Sequence, residues 1–158
     1  MKNNGIMIID FGSQYTKLIA RRVREQKIYS EILHHNTSAV EINNLNPAAI
    51  ILSGGPSSVF DSSALEIDPK ILSLPIPILG ICYGLQLLAH YYGGLVETKE
   101  NGEYGLSKLS VDNTNKIFLK IPKNINVWMS HMDQVTQVPE GWKVIAKSSN
   151  DVIAAISN

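Results

Sequence analysis

The amino-acid sequence predicts an α/β protein with three layers, in which helices cover both faces of an open, mixed and mainly parallel sheet. The first half of the chain contains four short, nearly continuous apolar runs, which are typical of strands buried on both faces of a parallel sheet. Apolar residues at helical spacing follow the first of these runs. Beyond Gly94 the segments become shorter and are separated by Asn, Gly and Pro turns, which predicts added, partly antiparallel strands.

The predicted elements alternate along the chain. Ile6-Met7-Ile8-Ile9 forms the first strand, and a helix follows from Gln14, with Ser13 as its expected N-terminal cap. The other strands expected in the first half are 31–33, 48–52 and 76–81, and a helix over 85–92 follows the last of them. In the second half the expected strands are 106–111, 126–129, 142–146 and 152–156.

Length and composition predict one ordinary globular domain over residues 1–158, with 44% hydrophobic and 18% charged residues. Fourteen basic residues balance fourteen acidic ones, so the chain lacks the charge excess that binds nucleic acid or an anionic membrane surface. One cysteine cannot form an internal disulfide, and the apolar stretch at the N-terminus is too short for a secretory segment. We therefore expect a cytoplasmic protein without nucleic-acid or membrane partners.

One uncharged stretch, residues 71–96, is long enough to cross a bilayer as a helix. Prolines and glycines interrupt it repeatedly, at Pro75, Pro77, Gly80, Gly84 and Gly93-Gly94. These residues break helices, so the stretch is better interpreted as a buried strand, a turn and a helix.

The strongest chemical signal is Gly80-Ile81-Cys82-Tyr83-Gly84-Leu85-Gln86, between the fourth predicted strand and the helix after it. Its spacing is that of a nucleophile elbow with cysteine as the nucleophile, in which glycines two residues to either side relieve backbone crowding. A thiolate at a helix N-terminus is stabilised by the exposed N–H groups and the local dipole. The pattern favours Cys82 as a catalytic nucleophile over the alternative of a buried structural cysteine.

A second signal is Ser53-Gly54-Gly55-Pro56, which closes the third predicted strand. If this strand neighbours the fourth, the loop lies beside the elbow, and a glycine N–H paired with the N–H of Tyr83 would form an oxyanion hole. By itself the segment could equally be a simple turn.

Cysteine chemistry also needs an acid-base partner, and the sequence does not identify one. The candidates are four histidines: His34, His35, His90 and His131. His131 is the most plausible site residue among them, but a structural or substrate-positioning role is favoured over that of general base, because no orienting group is visible.

Taken together, the elbow and Ser53-Gly54-Gly55-Pro56 resemble the class I glutamine amidotransferase family. Three further segments narrow the resemblance to the glutaminase domains or subunits of GMP synthases: Asp10-Phe11-Gly12-Ser13-Gln14-Tyr15, Ala20-Arg21-Arg22-Val23-Arg24-Glu25 and Trp128-Met129-Ser130-His131. The resemblance covers essentially the whole chain and implies a flavodoxin-like architecture. It implies that Cys82 attacks glutamine and that the Gly55 and Tyr83 N–H groups form the oxyanion hole. It also implies that the substrate is held by Gly54, Gln86, Ser130, His131 and Met132.

The resemblance also implies a partner. Ammonia from glutamine would pass to an ATP-pyrophosphatase (synthetase) domain or subunit that binds xanthosine monophosphate (XMP) and aminates it to GMP. ATP and Mg²⁺ would belong to that partner, and no metal or other cofactor is expected in this domain. Relatives carry the catalytic histidine and glutamate in a His-Pro-Glu segment, which is expected beyond Asn158. We therefore expect these 158 residues alone to turn over little glutamine.

Three other functions remain open from the sequence. The chain could be the glutaminase of another amidotransferase, serving anthranilate or carbamoyl phosphate synthesis. It could be a regulatory module that binds glutamine without cleaving it. It could also be a cysteine hydrolase or redox sensor that uses the same elbow.

Overall fold

The computed structural model describes residues 4–62 and 64–158, except for the side chains of residues 100 and 101. It divides into two compact units, Met1–Leu87 and Leu88–Asn158. The expectation of one amidotransferase domain over residues 1–158 stays a prediction.

The first unit is built on a parallel sheet of four strands: β1 (Ile6–Asp10), β2 (Ser30–His34), β3 (Ala49–Leu52) and β4 (Ile78–Gly80). Their order is β2-β1-β3-β4, so the first strand in sequence lies inside the sheet and pairs with β2 and β3. This order is that of doubly wound folds, in which ligands bind beyond the carboxyl ends of the strands. The apolar runs predicted this sheet because its central strands are almost completely buried.

Helix α1 (Thr16–Glu25) packs on this sheet through a small apolar core. Ala20 contacts Ile8 of β1 and Ile51 of β3, and the neighbouring Ile19 and Val23 extend the cluster. The helix begins two residues later than predicted, and the expectation that Ser13 caps it was wrong. Its N-cap residue is Tyr15, which makes no side-chain cap, and the Ser13 hydroxyl accepts instead from the Tyr15 N–H at 3.1 Å.

A second helix in this unit, α2 (Ala39–Leu45), was not predicted. It begins with a capping box, in which the Ser38 hydroxyl accepts from the Glu41 N–H and the Glu41 carboxylate accepts from the Ser38 N–H. Asp68 also holds its first turn, since the Asp68 carboxylate accepts from the Ala39 N–H at 2.9 Å. Helix α3 (Tyr83–Tyr91) follows β4 and continues into the second unit.

The second unit carries an antiparallel sheet of β5 (Leu95–Val111), β6 (Asn124–Gln137), β7 (Lys143–Ser148) and β8 (Ile153–Ser157), in the order β6-β5-β7-β8. Each strand predicted for this half overlaps one of these four. The α/β class is confirmed, and the added antiparallel strands form a separate sheet instead of joining a single mixed one. Within the described ranges, no helix is long and apolar enough to span a membrane.

Candidate active site

Cys82 lies on the sharp turn that connects β4 to α3, and its side chain is exposed. Its backbone has φ of 53°, in the left-handed region that a residue with a side chain rarely adopts. Such strain is concentrated at functional sites, because the surrounding structure must hold it in place. The turn geometry expected from the sequence is present, and the role of Cys82 as nucleophile stays a prediction.

Two glycines make this turn possible. A Cβ atom on Gly80 would lie 2.5 Å from the carbonyl carbon of Gly84, and one on Gly84 would lie 2.5 Å from the carbonyl oxygen of Leu52. Both contacts are with backbone atoms, which cannot move aside as a flexible side chain would. Any larger residue at either position would therefore push α3 away from the ends of the strands.

The end of β3 lies directly against the elbow. The Ile81 N–H donates to the Leu52 carbonyl at 2.9 Å, and the Gly84 N–H donates to the Ser53 carbonyl at 3.1 Å. A Cβ built on Gly54 would lie 3.4 Å from the Cβ of Cys82. The third and fourth strands are thus neighbours, as predicted, and the backbone of Gly54 lies close to Cys82.

The N–H groups of Gly55 and Tyr83 have no hydrogen-bond acceptor among the described residues. Tyr83 is the first residue of α3, where helical N–H groups lack an intrahelical partner. Gly55 sits so tightly on the first loop that a Cβ would lie 2.6 Å from the Phe11 carbonyl oxygen. An oxyanion hole requires such free backbone donors, and this role of Gly55 and Tyr83 stays a prediction.

The side chain of Tyr83 anchors the loop after β3, which is a role that the sequence did not reveal. Its ring is buried 5.1 Å from the ring of Phe11, and its hydroxyl donates to the Leu65 carbonyl at 2.9 Å. Burial raises the pKa of the Tyr83 hydroxyl, and the carboxylates of Glu66 and Asp61 act in the same direction. The hydroxyl therefore remains a neutral hydrogen-bond donor.

Gln86 follows Cys82 by one turn of α3, and its N–H donates to the Cys82 carbonyl at 3.1 Å. Only 6% of its surface is exposed, so this predicted substrate contact is largely enclosed by protein. Asp10, in the first loop, accepts from the Gly12 N–H and from the Thr16 hydroxyl, and so it holds its own loop and the start of α1.

Three of the four candidate histidines lie at the end of β2 or on α3. His34 is bonded to Asn36 at 2.7 Å, and His35 to the Glu66 carbonyl at 3.1 Å. Their rings also contact each other, with centroids 4.3 Å apart and ring planes tilted by 37°. His90 is exposed on α3. These contacts give His34 and His35 structural roles at the end of β2.

The remaining candidates, Ser130, His131 and Met132, lie on β6 in the second unit. His131 is directly opposite Glu103 of β5, and its Nε2 lies 3.7 Å from Glu103 Oε2. Its Nδ1 is 3.1 Å from the carbonyl oxygen of Asp133. The orienting group that the sequence did not identify for His131 is thus a carboxylate on the neighbouring strand.

Glu103 is itself a buried carboxylate, with 6% of its surface exposed. Its Oε1 accepts from the Ser148 hydroxyl at 2.6 Å and from the Asn150 amide at 3.0 Å. The sequence did carry a signal for this residue. Glu103 has the same parity in β5 as Leu109 and Val111, so it falls on the face that points into the unit.

Known proteins resemble this chain over nearly its whole length. A family model described as glutamine amidotransferase class-I matches residues 7–158. The chain is 53% identical over 155 residues to a GMP synthase [glutamine-hydrolyzing] of Ligilactobacillus salivarius, covering 97% of this chain and 30% of that protein. It is equally similar to the GMP synthase [glutamine-hydrolyzing] of Chlorobium chlorochromatii, at 53% identity with the same coverage. The chain therefore spans about a third of the length of these relatives.

Solved structures give the same fold. A protein from Thermoplasma acidophilum, described as a subunit of GMP synthase, superposes with a TM-score of 0.83 and 26% identity, covering 98% of this chain and 77% of that one. A glutamine amidotransferase from Thermotoga maritima superposes with a TM-score of 0.76 at 21% identity, covering 99% of this chain and 72% of that one. The second likeness concerns the fold alone.

Proposed function

Because the chain belongs to the class I glutamine amidotransferase family, we propose that it cleaves the side-chain amide of glutamine with Cys82 as the nucleophile. The observation that supports this most directly is the exposed thiol at a left-handed turn, at the start of α3 and beside Gly54. A thiol held on the outside of a rigid turn can reach a carbonyl carbon that approaches from solvent. The start of a helix favours its thiolate form.

In the proposed reaction, the Cys82 sulfur attacks the amide carbon of glutamine and a tetrahedral intermediate forms. Its negative oxygen accepts hydrogen bonds from the N–H groups of Gly55 and Tyr83, which have no other acceptor in the described part of the chain. The C–N bond then breaks, the nitrogen takes up the proton that the thiol gave up, and ammonia leaves. Water hydrolyses the remaining glutamyl thioester to glutamate and the free thiol.

Substrate contacts are part of the same proposal. Gly54 would leave room for the substrate beside the thiol, since its missing side chain would touch Cys82. Gln86 and the main chain of Ser130, His131 and Met132 would hold the amino-acid end of glutamine. Support for these four residues comes from the resemblance to the family.

The activity of the longer protein is also a proposal, since the relatives are about three times as long as this chain. Their name supports transfer of the ammonia to an ATP-dependent synthetase part, which would aminate XMP to GMP and would bind the ATP and Mg²⁺. This domain would need no cofactor of its own, and we propose that the protein works in the cytoplasm.

The test is covalent labelling of Cys82 by a diazoketone analogue of glutamine, followed by intact mass. We expect one adduct per chain, protection by glutamine but not by asparagine, whose side chain is shorter, and no adduct in Cys82→Ala. Ammonia release from glutamine, measured on the complete protein, should be lost in the same variant. Labelling that glutamine does not slow would contradict the proposal.

The same experiment separates the other candidates. If the chain were a regulatory module, the Cys82→Ala variant would bind glutamine as well as the wild type does and would keep its regulatory effect. A redox sensor would react with peroxide faster than with the diazoketone. Another amidotransferase would release ammonia but would aminate an acceptor other than XMP in the complete protein.

A further inference from the structure

Ser53, the residue that follows β3, is completely buried and connects the three loops of the candidate site. Its hydroxyl oxygen accepts from the Phe11 N–H of the first loop at 3.0 Å. The same hydroxyl donates to the Gly54 carbonyl at 2.8 Å, and the Ser53 carbonyl accepts from the Gly84 N–H of the elbow. Of these contacts, the bond to Gly54 bears on the proposed chemistry.

A hydroxyl has one proton to donate, and its direction is set by its partners. Because the Phe11 N–H occupies one lone pair of the Ser53 oxygen, the proton has to point elsewhere, and the Gly54 carbonyl is the acceptor that it meets. This carbonyl belongs to the peptide that joins Gly54 to Gly55. The hydrogen bond therefore fixes the direction in which that carbonyl points.

Fixing the carbonyl also fixes the N–H at the other end of the same peptide. The peptide unit is planar and trans, so its C=O and N–H point in opposite directions. When the Gly54 carbonyl is held by Ser53, the Gly55 N–H must face away from Ser53. Two successive glycines would otherwise let this peptide rotate by half a turn at little cost, because both of their backbones are permissive.

We propose that Ser53 is a positioning residue for the oxyanion hole, whose hydroxyl selects the orientation of the Gly54–Gly55 peptide that presents the Gly55 N–H to the reacting oxygen. This inference rests on the proposed glutaminase function. The Ser53 side chain is completely buried. It acts through the peptide next to it, so its loss should slow the chemical step without weakening glutamine binding.

The experiment compares Ser53→Ala with a matched control, Ser30→Ala, in the complete protein. Ser30 is equally buried, and its hydroxyl donates to the Ala20 carbonyl at 3.1 Å within the α1 and β2 region. Both variants lose one buried serine hydrogen bond to a backbone carbonyl, and Ser53→Ala also loses the bond that its hydroxyl accepts from the Phe11 N–H. Ser53→Ala should therefore be the less stable of the two, so kcat is compared at a temperature at which both variants are folded. Under that condition they differ in whether the carbonyl belongs to the proposed oxyanion loop.

We expect kcat for ammonia release to fall about tenfold to a hundredfold in Ser53→Ala, since removal of an entire oxyanion donor costs about a hundredfold or more. KM for glutamine should change less than about threefold, because the substitution leaves unchanged the contacts that bind glutamine equally in the ground state and the transition state. Alkylation of Cys82 by iodoacetamide forms no oxyanion, so its rate should stay at the wild-type value. Ser30→Ala should keep the wild-type kcat.

A kcat for Ser53→Ala within twofold of that of Ser30→Ala would overturn the inference. An equal loss in the iodoacetamide rate would also overturn it, since the thiol and not the donor would then have moved. If Ser53→Ala does not fold, Ser53→Cys, which fills the same space with a weak donor, should give an intermediate kcat, and a wild-type kcat would refute the role. A wild-type protein that releases no ammonia would overturn the proposed function itself.

Discussion

His131 and Glu103 form a largely buried pair across the ladder between β5 and β6, with His131 Nε2 3.7 Å from Glu103 Oε2. His131 Nδ1 faces a carbonyl oxygen, which can only accept, so this nitrogen carries a hydrogen. Within the described residues, Glu103 Oε2 is buried without a hydrogen-bond donor. The pair therefore places the His131 ring beside the buried carboxylate of Glu103.

This pair predicts that Glu103→Ala and Glu103→Gln differ widely in stability. Alanine leaves the Ser148 hydroxyl and the Asn150 amide without their acceptor, and the free energy of unfolding should fall by about 3 kcal/mol. Glutamine keeps an acceptor for both and offers an N–H₂ group to His131, so the loss should stay within about 1 kcal/mol. Urea denaturation measures both values.

The matched control is Glu97→Ala, which removes an exposed carboxylate from the same strand. Its ion pair with Lys99 is open to solvent, so its loss should leave the free energy of unfolding nearly unchanged. Equal stability of Glu103→Ala and Glu97→Ala would refute the structural role of the buried network.

The turn at Cys82 predicts that the side chain needed for reactivity lowers the stability of the protein. Cys82→Gly and Cys82→Ala both lack the thiol, and they differ in whether a Cβ must be carried at φ of 53°. A side chain in this region costs about 1 kcal/mol, so Cys82→Gly should have the higher free energy of unfolding by that amount in urea. Neither variant should take up the diazoketone. A Cys82→Ala protein as stable as Cys82→Gly would mean that the backbone there is not strained.

Gly84 and Gly105 allow steric crowding to be separated from backbone strain. A Cβ on Gly84 would meet the Leu52 carbonyl oxygen at 2.5 Å, whereas one on Gly105 meets nothing within 4 Å, although its φ is 94°. Gly84→Ala should lower the free energy of unfolding by about 3 kcal/mol, as overpacking of a rigid site does. Gly105→Ala should cost about 1 kcal/mol. Thermal or urea unfolding measures both, and the reverse order would contradict the geometry.

Asp68 predicts a loss of stability in acid. Hydrogen bonds from the backbone N–H groups of Ala39 and Lys70 lower the pKa of the Asp68 carboxyl below its ordinary value, with the bond from Ala39 as the larger cause. The charged form is therefore favoured by folding. Its contribution to stability is complete above the unfolded pKa and is lost as the pH falls through the lower, folded pKa.

Asp68→Asn tests this directly, because it removes the titrating group and keeps one acceptor oxygen. At neutral pH the wild type should be more stable than Asp68→Asn. The difference between their free energies of unfolding should shrink as the pH falls below the unfolded pKa of the carboxyl. Denaturation curves at several pH values measure this difference. A difference that does not change with pH would refute the assignment.

The sequence predicted the parts of the fold in which one local pattern dominates. The run Ile6-Met7-Ile8-Ile9 identified β1 because a strand buried on both faces has to be apolar throughout. The glycines around Cys82 identified the elbow because backbone crowding allows no other residue there. In both cases the local sequence is under a constraint that tertiary context does not alter.

Sequence patterns did not predict the features that are irregular, short or dependent on distant partners. Helix α2 has only 7 residues, too short for a periodic pattern, although Ser38 and Glu41 form a recognisable capping box. The start of β5 was missed because the register shifts between Thr98 and Glu103, which interrupts the alternation of a regular strand. The role of Glu103 depends on Ser148 and Asn150, which are distant in sequence.

The elbow also determines what a comprehensive mutational scan of this protein would report. At Gly80 and Gly84, almost every substitution should be depleted both under selection for folded protein and under selection for activity. The reason is that any side chain there would collide with backbone atoms. At Cys82 the two selections should diverge: activity would reject all replacements, while abundance would tolerate several and favour glycine. Intolerance at the two glycines would thus carry no information about chemistry, and the contrast between abundance and activity at position 82 would identify the reacting atom without any knowledge of the substrate.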